Sequence, residues 1–126
     1  MKYRTPLTKA RGLGAAKSGT THWWMQRVTA AALIPLSYWL IKLIALSATA
    51  PYAEAQAWLA APVNTVGILA FIAAVFYHAG LGLRVVIEDY VGGEGCKIVS
   101  IWLVNLTFVL LALTAFLAVF RTIQAG

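Results

Sequence analysis

The chain has 126 residues, of which 61% are hydrophobic and only 11% are charged, and its formal net charge is +6. This composition, with a mean hydropathy of +0.79, excludes a water-soluble domain and predicts an integral membrane protein. The excess positive charge indicates membrane orientation and contact with anionic lipid headgroups, and we do not interpret it as a nucleic-acid interface. A single cysteine, Cys96, excludes an internal disulfide.

The N-terminal segment, residues 1–20, is polar and basic and lacks the apolar core of a cleavable secretory signal. A mitochondrial transit peptide is also basic and poor in acids, so that alternative stays open. The hydroxyls of Thr20 and Thr21 predict a helix N-cap directly after this segment. We therefore expect a basic arm on the cytoplasmic surface of a bacterial inner membrane, in preference to the mitochondrial inner membrane.

Three apolar stretches are each long enough to cross a bilayer, which takes about 20 residues of α-helix. They cover residues 28–48, 63–87 and 98–120. Because the connectors are short, we expect one all-α membrane domain over residues 1–126, with the three helices running up, down and up. The connector after the first span is also expected to hold a short interfacial helix around Ala53–Leu59.

The distribution of charge predicts the orientation of these spans. Six basic residues precede or open the first span: Lys2, Arg4, Lys9, Arg11, Lys17 and Arg27. The loop between the first two spans has only Glu54 as a formal charge. By the positive-inside rule the N-terminus is cytoplasmic, and the second span returns to the cytoplasm near Asp89 and Tyr90.

His78 lies deep in the second span, where a histidine is costly and usually has a partner or a task. Gly82 follows it by four residues on the same helix face and leaves room for a flat, bulky group. A neutral imidazole is a good axial ligand for haem iron. The alternative is a hydrogen bond from His78 to a neighbouring helix, without any cofactor.

Asp89 and Tyr90 end the second span. Asp89 returns to nearly the same helix face as His78, whereas Tyr90 lies about 18 Å from His78 along the axis. This spacing favours two adjacent sites, one deep and one near the cytoplasmic surface, although both residues could be ordinary interfacial ones. His22 is expected near the membrane boundary, well away from the level of His78. A second axial haem ligand would therefore come from another chain.

Two arginines near these positions have simple interpretations. Arg84 and Glu88 are four residues apart and are expected to pair on an exposed helix face. Arg27 is interpreted either as a positive-inside anchor or as the partner of haem propionates or of a polar ligand at its level.

The spacing of His78, Asp89 and Tyr90, with the segment THWWMQRVTA over residues 21–30, resembles the D-type membrane-anchor subunit of succinate dehydrogenase (complex II). The residues of both motifs are similar to those of the alphaproteobacterial or mitochondrial-like branch of this family. The resemblance implies that His78 is an axial ligand of haem b and that Tyr90 hydrogen-bonds ubiquinone. It implies further that Asp89 belongs to the quinone pocket and proton path, and that Arg27 lies near the propionates and the quinone.

The resemblance also implies partners. A second three-helix cytochrome b subunit would supply the other haem ligand, a flavoprotein would oxidise succinate, and an iron–sulfur protein would pass the electrons inward. The predicted function is the membrane-anchor and quinone-site subunit of succinate:ubiquinone oxidoreductase, in the tricarboxylic acid cycle and aerobic respiration. The alternatives are the anchor of a fumarate reductase and a structural membrane subunit without a cofactor.

Overall fold

The computed structural model describes Pro6 and residues 16–125, all of whose regular structure is helical. The helices are α1 (Ala16–Thr49), α2 (Tyr52–Ala60), α3 (Pro62–Tyr90) and α4 (Glu94–Gln124). Three of them, α1, α3 and α4, are long and apolar enough to cross a membrane. The predicted all-α fold with three spans is therefore confirmed, while most of the predicted basic arm, residues 1–5 and 7–15, lies outside the described residues.

Helix α1 is longer than the apolar stretch that predicted it. Its 34 residues correspond to about 51 Å, against about 30 Å for the hydrocarbon core of a bilayer. Because the chain is already helical at Ala16, the predicted cap at Thr20 and Thr21 is wrong: both residues lie inside α1. The apolar pattern marks only the part of a helix that lies in lipid, and α1 continues beyond it. Pro35 lies within α1, and membrane helices tolerate such a proline where neighbouring groups satisfy the freed carbonyl.

The predicted short helix after the first span is confirmed as α2. It packs against the ends of all three long helices. Gln56 donates a hydrogen bond from Nε2 to the carbonyl oxygen of Thr122 at 2.7 Å. Leu59 of α2 forms a buried apolar cluster with Ile68 of α3 and Val119 of α4. This cluster ties the three elements together at the end of the molecule opposite Tyr90.

The three long helices lie in a row. Helix α3 packs closely against both α1 and α4, whereas the backbones of α1 and α4 do not approach each other closely within residues 16–125. Few side chains are fully buried in this arrangement, and most large apolar side chains are exposed, as expected for a protein surrounded by lipid. Helix α3 is therefore the central helix, with one side facing α1 and another facing α4.

The register between α1 and α3 sets the depth of the site. Near one end the indole Nε1 of Trp39 donates to Oδ1 of Asn64 at 3.2 Å, which fixes the two antiparallel helices against each other. Towards the other end, Thr29 of α1 reaches His78 of α3. This antiparallel alignment brings the N-terminal half of α1 beside the C-terminal half of α3.

Glycines separate α3 from α4. Helix α3 ends at Tyr90, and Gly93 at the start of α4 has a φ of +82°, a conformation that favours glycine. Near the C-terminal end of α3, Nε of Arg84 lies 3.0 Å from Oε1 of Glu88, with both side chains about half exposed, so the predicted surface pair is confirmed.

Candidate functional site: a histidine groove between the first and second spans

His78 forms a direct contact with the first span. Its Nδ1 atom lies 2.9 Å from the hydroxyl oxygen of Thr29. An interhelical hydrogen bond was one of the two interpretations open for this histidine. An imidazole has two ring nitrogens, however, and this bond uses only Nδ1. Nε2 makes no hydrogen bond within the described part of the chain, so it remains available to a ligand.

His78 lines a groove between α1 and α3 with a volume of about 480 Å³. The remaining lining comes from both helices: Gly19, His22, Trp23, Gln26, Arg27, Ala30 and Val85. A Cβ atom placed on Gly82, one turn beyond His78, would have only the Gln26 amide nitrogen within 4 Å, at 3.7 Å. The predicted open space at Gly82 is thus bordered by Gln26 of the first span.

Two polar atoms at this groove are buried and have no hydrogen-bond partner among the described residues. They are Nε2 of His22 and Oε1 of Gln26. A buried polar atom without a partner is costly, and in native proteins it usually marks a bound group or a functional role. Two residues that line the groove beside His78 thus each carry a buried polar atom that no described residue satisfies.

His22 was expected well away from the level of His78, and its position on α1 agrees with that difference in level. His22 lies two helical turns from Thr29, or about 10 Å along α1, yet it lines the same groove as His78. Thr29 and Gln26 were missed altogether. The sequence could have indicated them by its spacing. His22, Gln26 and Thr29 are spaced i, i+4 and i+7, which places three polar groups on one face of an apolar helix.

Arg27 also lines the groove. Its guanidinium carbon lies 5.4 Å from the centre of the Trp23 ring, a cation–π arrangement. No carboxylate pairs with it in the part of the chain that the structure describes, where the single ion pair joins Arg84 and Glu88. An exposed guanidinium in the groove without a counter-charge suits a negatively charged ligand there.

Asp89 and Tyr90 lie outside this groove, at the cytoplasmic-side end of α3 under the predicted orientation. Both are exposed, and the Tyr90 side chain is 84% exposed. The structure thus does not bring Tyr90 together with His78, in keeping with two separate sites. The Tyr90 hydroxyl makes no hydrogen bond within the described residues, so it is free to contact a ligand at the end of the helix.

The chemistry of the groove fits a haem group. His78 provides an imidazole nitrogen suited to iron, Gly82 provides space, and the walls are otherwise largely apolar. The guanidinium of Arg27, which lines the groove, suits the carboxylates that such a group carries. Three spanning helices with this groove define a multi-pass membrane protein whose site suits a redox cofactor.

Comparison with known proteins places the chain more narrowly. It belongs to the succinate dehydrogenase/fumarate reductase transmembrane subunit family, whose sequence model matches residues 1–120. This confirms the predicted family, and it makes the chain part of an enzyme complex.

The chain is also similar to individual curated proteins. A succinate dehydrogenase hydrophobic membrane anchor subunit of Rickettsia bellii is 34% identical over 94% of each chain. A succinate dehydrogenase membrane anchor subunit of Reclinomonas americana is 37% identical over 71% of this chain and 77% of its own. A hydrophobic membrane anchor subunit of Paracoccus denitrificans is 31% identical over 74% and 72% respectively. No solved structure is significantly similar to the chain.

Proposed function

We propose that this chain is the membrane-anchor subunit of a succinate:ubiquinone oxidoreductase, in which His78 is an axial ligand of haem b. The observation that carries the proposal is the available Nε2 of His78 in a groove that also contains Arg27. Haem b, when bound, supplies one-electron transfer. His78 would hold the iron, while the guanidinium of Arg27 would hold the carboxylates.

Ubiquinone would bind at the other end of the second span. Reduction to quinol takes two electrons and two protons. The Tyr90 hydroxyl would donate a hydrogen bond to a quinone carbonyl oxygen and orient it, and the Asp89 carboxylate would lie on the path by which protons reach the site from water. The exposure of both side chains supports this role, because a substrate arriving from the membrane must reach them.

The partners follow from the same proposal. A flavoprotein would oxidise succinate, an iron–sulfur protein would carry the electrons, and a second three-helix subunit would supply the other haem ligand. The unpaired Arg27 and the open groove support a further chain or cofactor on this side of α3. The charge asymmetry of the sequence supports a cytoplasmic N-terminus in a bacterial inner membrane.

The haem assignment is tested on the purified complex by its optical spectrum. We expect a b-type haem band that is lost or changed in His78→Ala and kept in His22→Ala, because His22 is not placed as an iron ligand. A spectrum without a b-type haem, or one that His78→Ala leaves unchanged, would refute the assignment. It would favour a structural subunit in which His78 only hydrogen-bonds Thr29.

The quinone assignment is tested separately. A Tyr90→Phe variant should impair quinone reduction while succinate oxidation with an artificial electron acceptor survives. Tyr52→Phe is the matched control, because Tyr52 is also exposed but begins α2 at the other end of the molecule. Normal quinone turnover in Tyr90→Phe would refute the role of Tyr90.

A further inference from the structure

Thr29 is the one buried polar side chain among residues 19–125, at only 7% exposure. Its hydroxyl oxygen lies 2.6 Å from the carbonyl oxygen of Met25 and 3.2 Å from that of Gln26. It also lies 2.9 Å from Nδ1 of His78. A threonine hydroxyl carries a single hydrogen, so it cannot donate to all three atoms at once.

The short distance to Met25 indicates where that hydrogen goes. A hydroxyl inside a helix commonly donates to the carbonyl four residues earlier. Four other hydroxyls on the long helices make this bond at 2.6 to 2.8 Å: Ser37 to Leu33, Thr49 to Ala45, Thr114 to Leu110 and Thr122 to Ala118. Thr29 follows the same pattern, and its oxygen therefore accepts a hydrogen bond from His78.

The hydrogen-bond network thereby assigns the tautomer of His78, since hydrogen positions follow from such networks. If the Thr29 oxygen accepts, Nδ1 of His78 carries the hydrogen and donates it. Nε2 then has a free lone pair. The opposite arrangement, with Thr29 donating to Nδ1, would put the hydrogen on Nε2 and would give up the 2.6 Å bond to Met25.

We infer that Thr29 is a positioning residue for the metal-ligating nitrogen of His78. Its hydroxyl holds the imidazole in the tautomer whose Nε2 can bind iron and restricts rotation of the ring. Metal-ligating histidines generally donate their second N–H to an oxygen in this way, which also raises the basicity of the ligand. This inference rests on the proposed haem-binding role of His78, and it adds a residue from the first span.

The test uses the purified complex and three variants. Thr29→Val removes the hydroxyl and nearly preserves the shape, Thr29→Ser keeps the hydroxyl, and Thr114→Val removes an equivalent helix bond that faces no histidine. The readouts are the ratio of haem to protein and the midpoint potential of the haem. Neither depends on turnover.

We expect Thr29→Val to weaken haem retention by about 10- to 100-fold, the usual loss when such a partner is removed. Its midpoint potential should rise, because a less basic imidazole stabilises the oxidised iron less. Thr29→Ser and Thr114→Val should keep the wild-type potential. If Thr29→Val does not assemble, Thr29→Ala compared with Thr29→Ser gives the same contrast between absence and presence of the hydroxyl.

Two results would overturn the inference while leaving the proposed function intact. One is a wild-type potential and haem ratio in Thr29→Val when His78→Ala abolishes the haem band. The other is a shift in Thr29→Ser as large as that in Thr29→Val, which would show that packing rather than the hydroxyl matters. A haem band unchanged in His78→Ala would instead refute the proposed function itself, and the role of Thr29 with it.

Discussion

The indole ring of Trp39 lies against the backbone of Gly67, so that a Cβ atom at residue 67 would lie 2.5 Å from three ring atoms. No other glycine in the described part of the chain has a neighbour this close. The contact lets α1 and α3 approach each other at the level where Trp39 also hydrogen-bonds Asn64. Small residues at helix contacts serve this purpose in membrane proteins.

A Gly67→Ala substitution should therefore destabilise the protein. The added methyl group must displace the Trp39 ring or separate the helices, and overpacking of this kind costs about 1–3 kcal/mol. Thermal unfolding of the detergent-solubilised protein measures the effect. Gly95→Ala is the matched control, because Gly95 has no atom within 4 Å of the added Cβ. Equal stability of the two variants would contradict the close contact.

The hydrogen bond from Gln56 to the Thr122 carbonyl should hold α2 against the end of α4. A Gln56→Leu variant leaves a carbonyl oxygen without this partner, and we expect a loss of about 1 kcal/mol. Faster amide hydrogen exchange in α2 would reveal it. Gln124→Leu, at an exposed position near the same end, should leave the exchange of α2 unchanged. Identical exchange in both variants would show that the apolar cluster alone holds α2.

Removing the charge of Arg27 should weaken haem retention. A charge-assisted hydrogen bond is worth about 1.5–3 kcal/mol, which corresponds to about a 10-fold or greater loss of affinity. The haem of an Arg27→Gln variant should also have a lower midpoint potential, because a nearby positive charge favours the reduced iron. Redox titration of the complex checks this. Lys42→Gln removes a charge on the same helix outside the groove and should have no effect; a shift in both variants would point to net charge instead.

Cys96 reports the orientation of the chain. It is exposed in the first turn of α4, and it is the single cysteine of the sequence. Under the positive-inside rule a membrane-impermeant maleimide should label it only after the inner membrane of spheroplasts is opened. In a Cys96→Ser background, Glu54→Cys should be labelled without opening the membrane. The reverse pattern of labelling would contradict the predicted topology and would indicate the opposite orientation of the chain in the membrane.

Much of the fold could be predicted from the sequence because the bilayer constrains it strongly. Apolar stretches of about 20 residues identify spans, and the prolines and glycines around α2 and Gly93 mark the breaks. The helical turns of α1 before the apolar stretch, from Ala16 onward, could not be found in this way. There the chain is polar, and the helix continues without the apolar pattern that defined the span.

The candidate site was only partly predictable. The depth of His78 follows from counting residues along one helix, but its contact with Thr29 depends on which helices are neighbours and in what register. That register depends on contacts such as those of Trp39 with Gly67 and Asn64, which a single sequence does not reveal. The roles of Tyr90 and Asp89 rest on family resemblance and stay predictions, because both side chains lie free at the end of α3.

The row of three helices has a consequence for how the cell handles this chain. Since α1 and α4 do not close around α3, the groove of His78 is open along its side within the membrane. In a copy made alone, the polar groove residues Arg27 and His78 would lie beside acyl chains, which solvate them poorly. Surplus copies should therefore be short-lived substrates of membrane proteases, and turnover rather than synthesis alone would keep the amount of this subunit matched to that of its proposed partners.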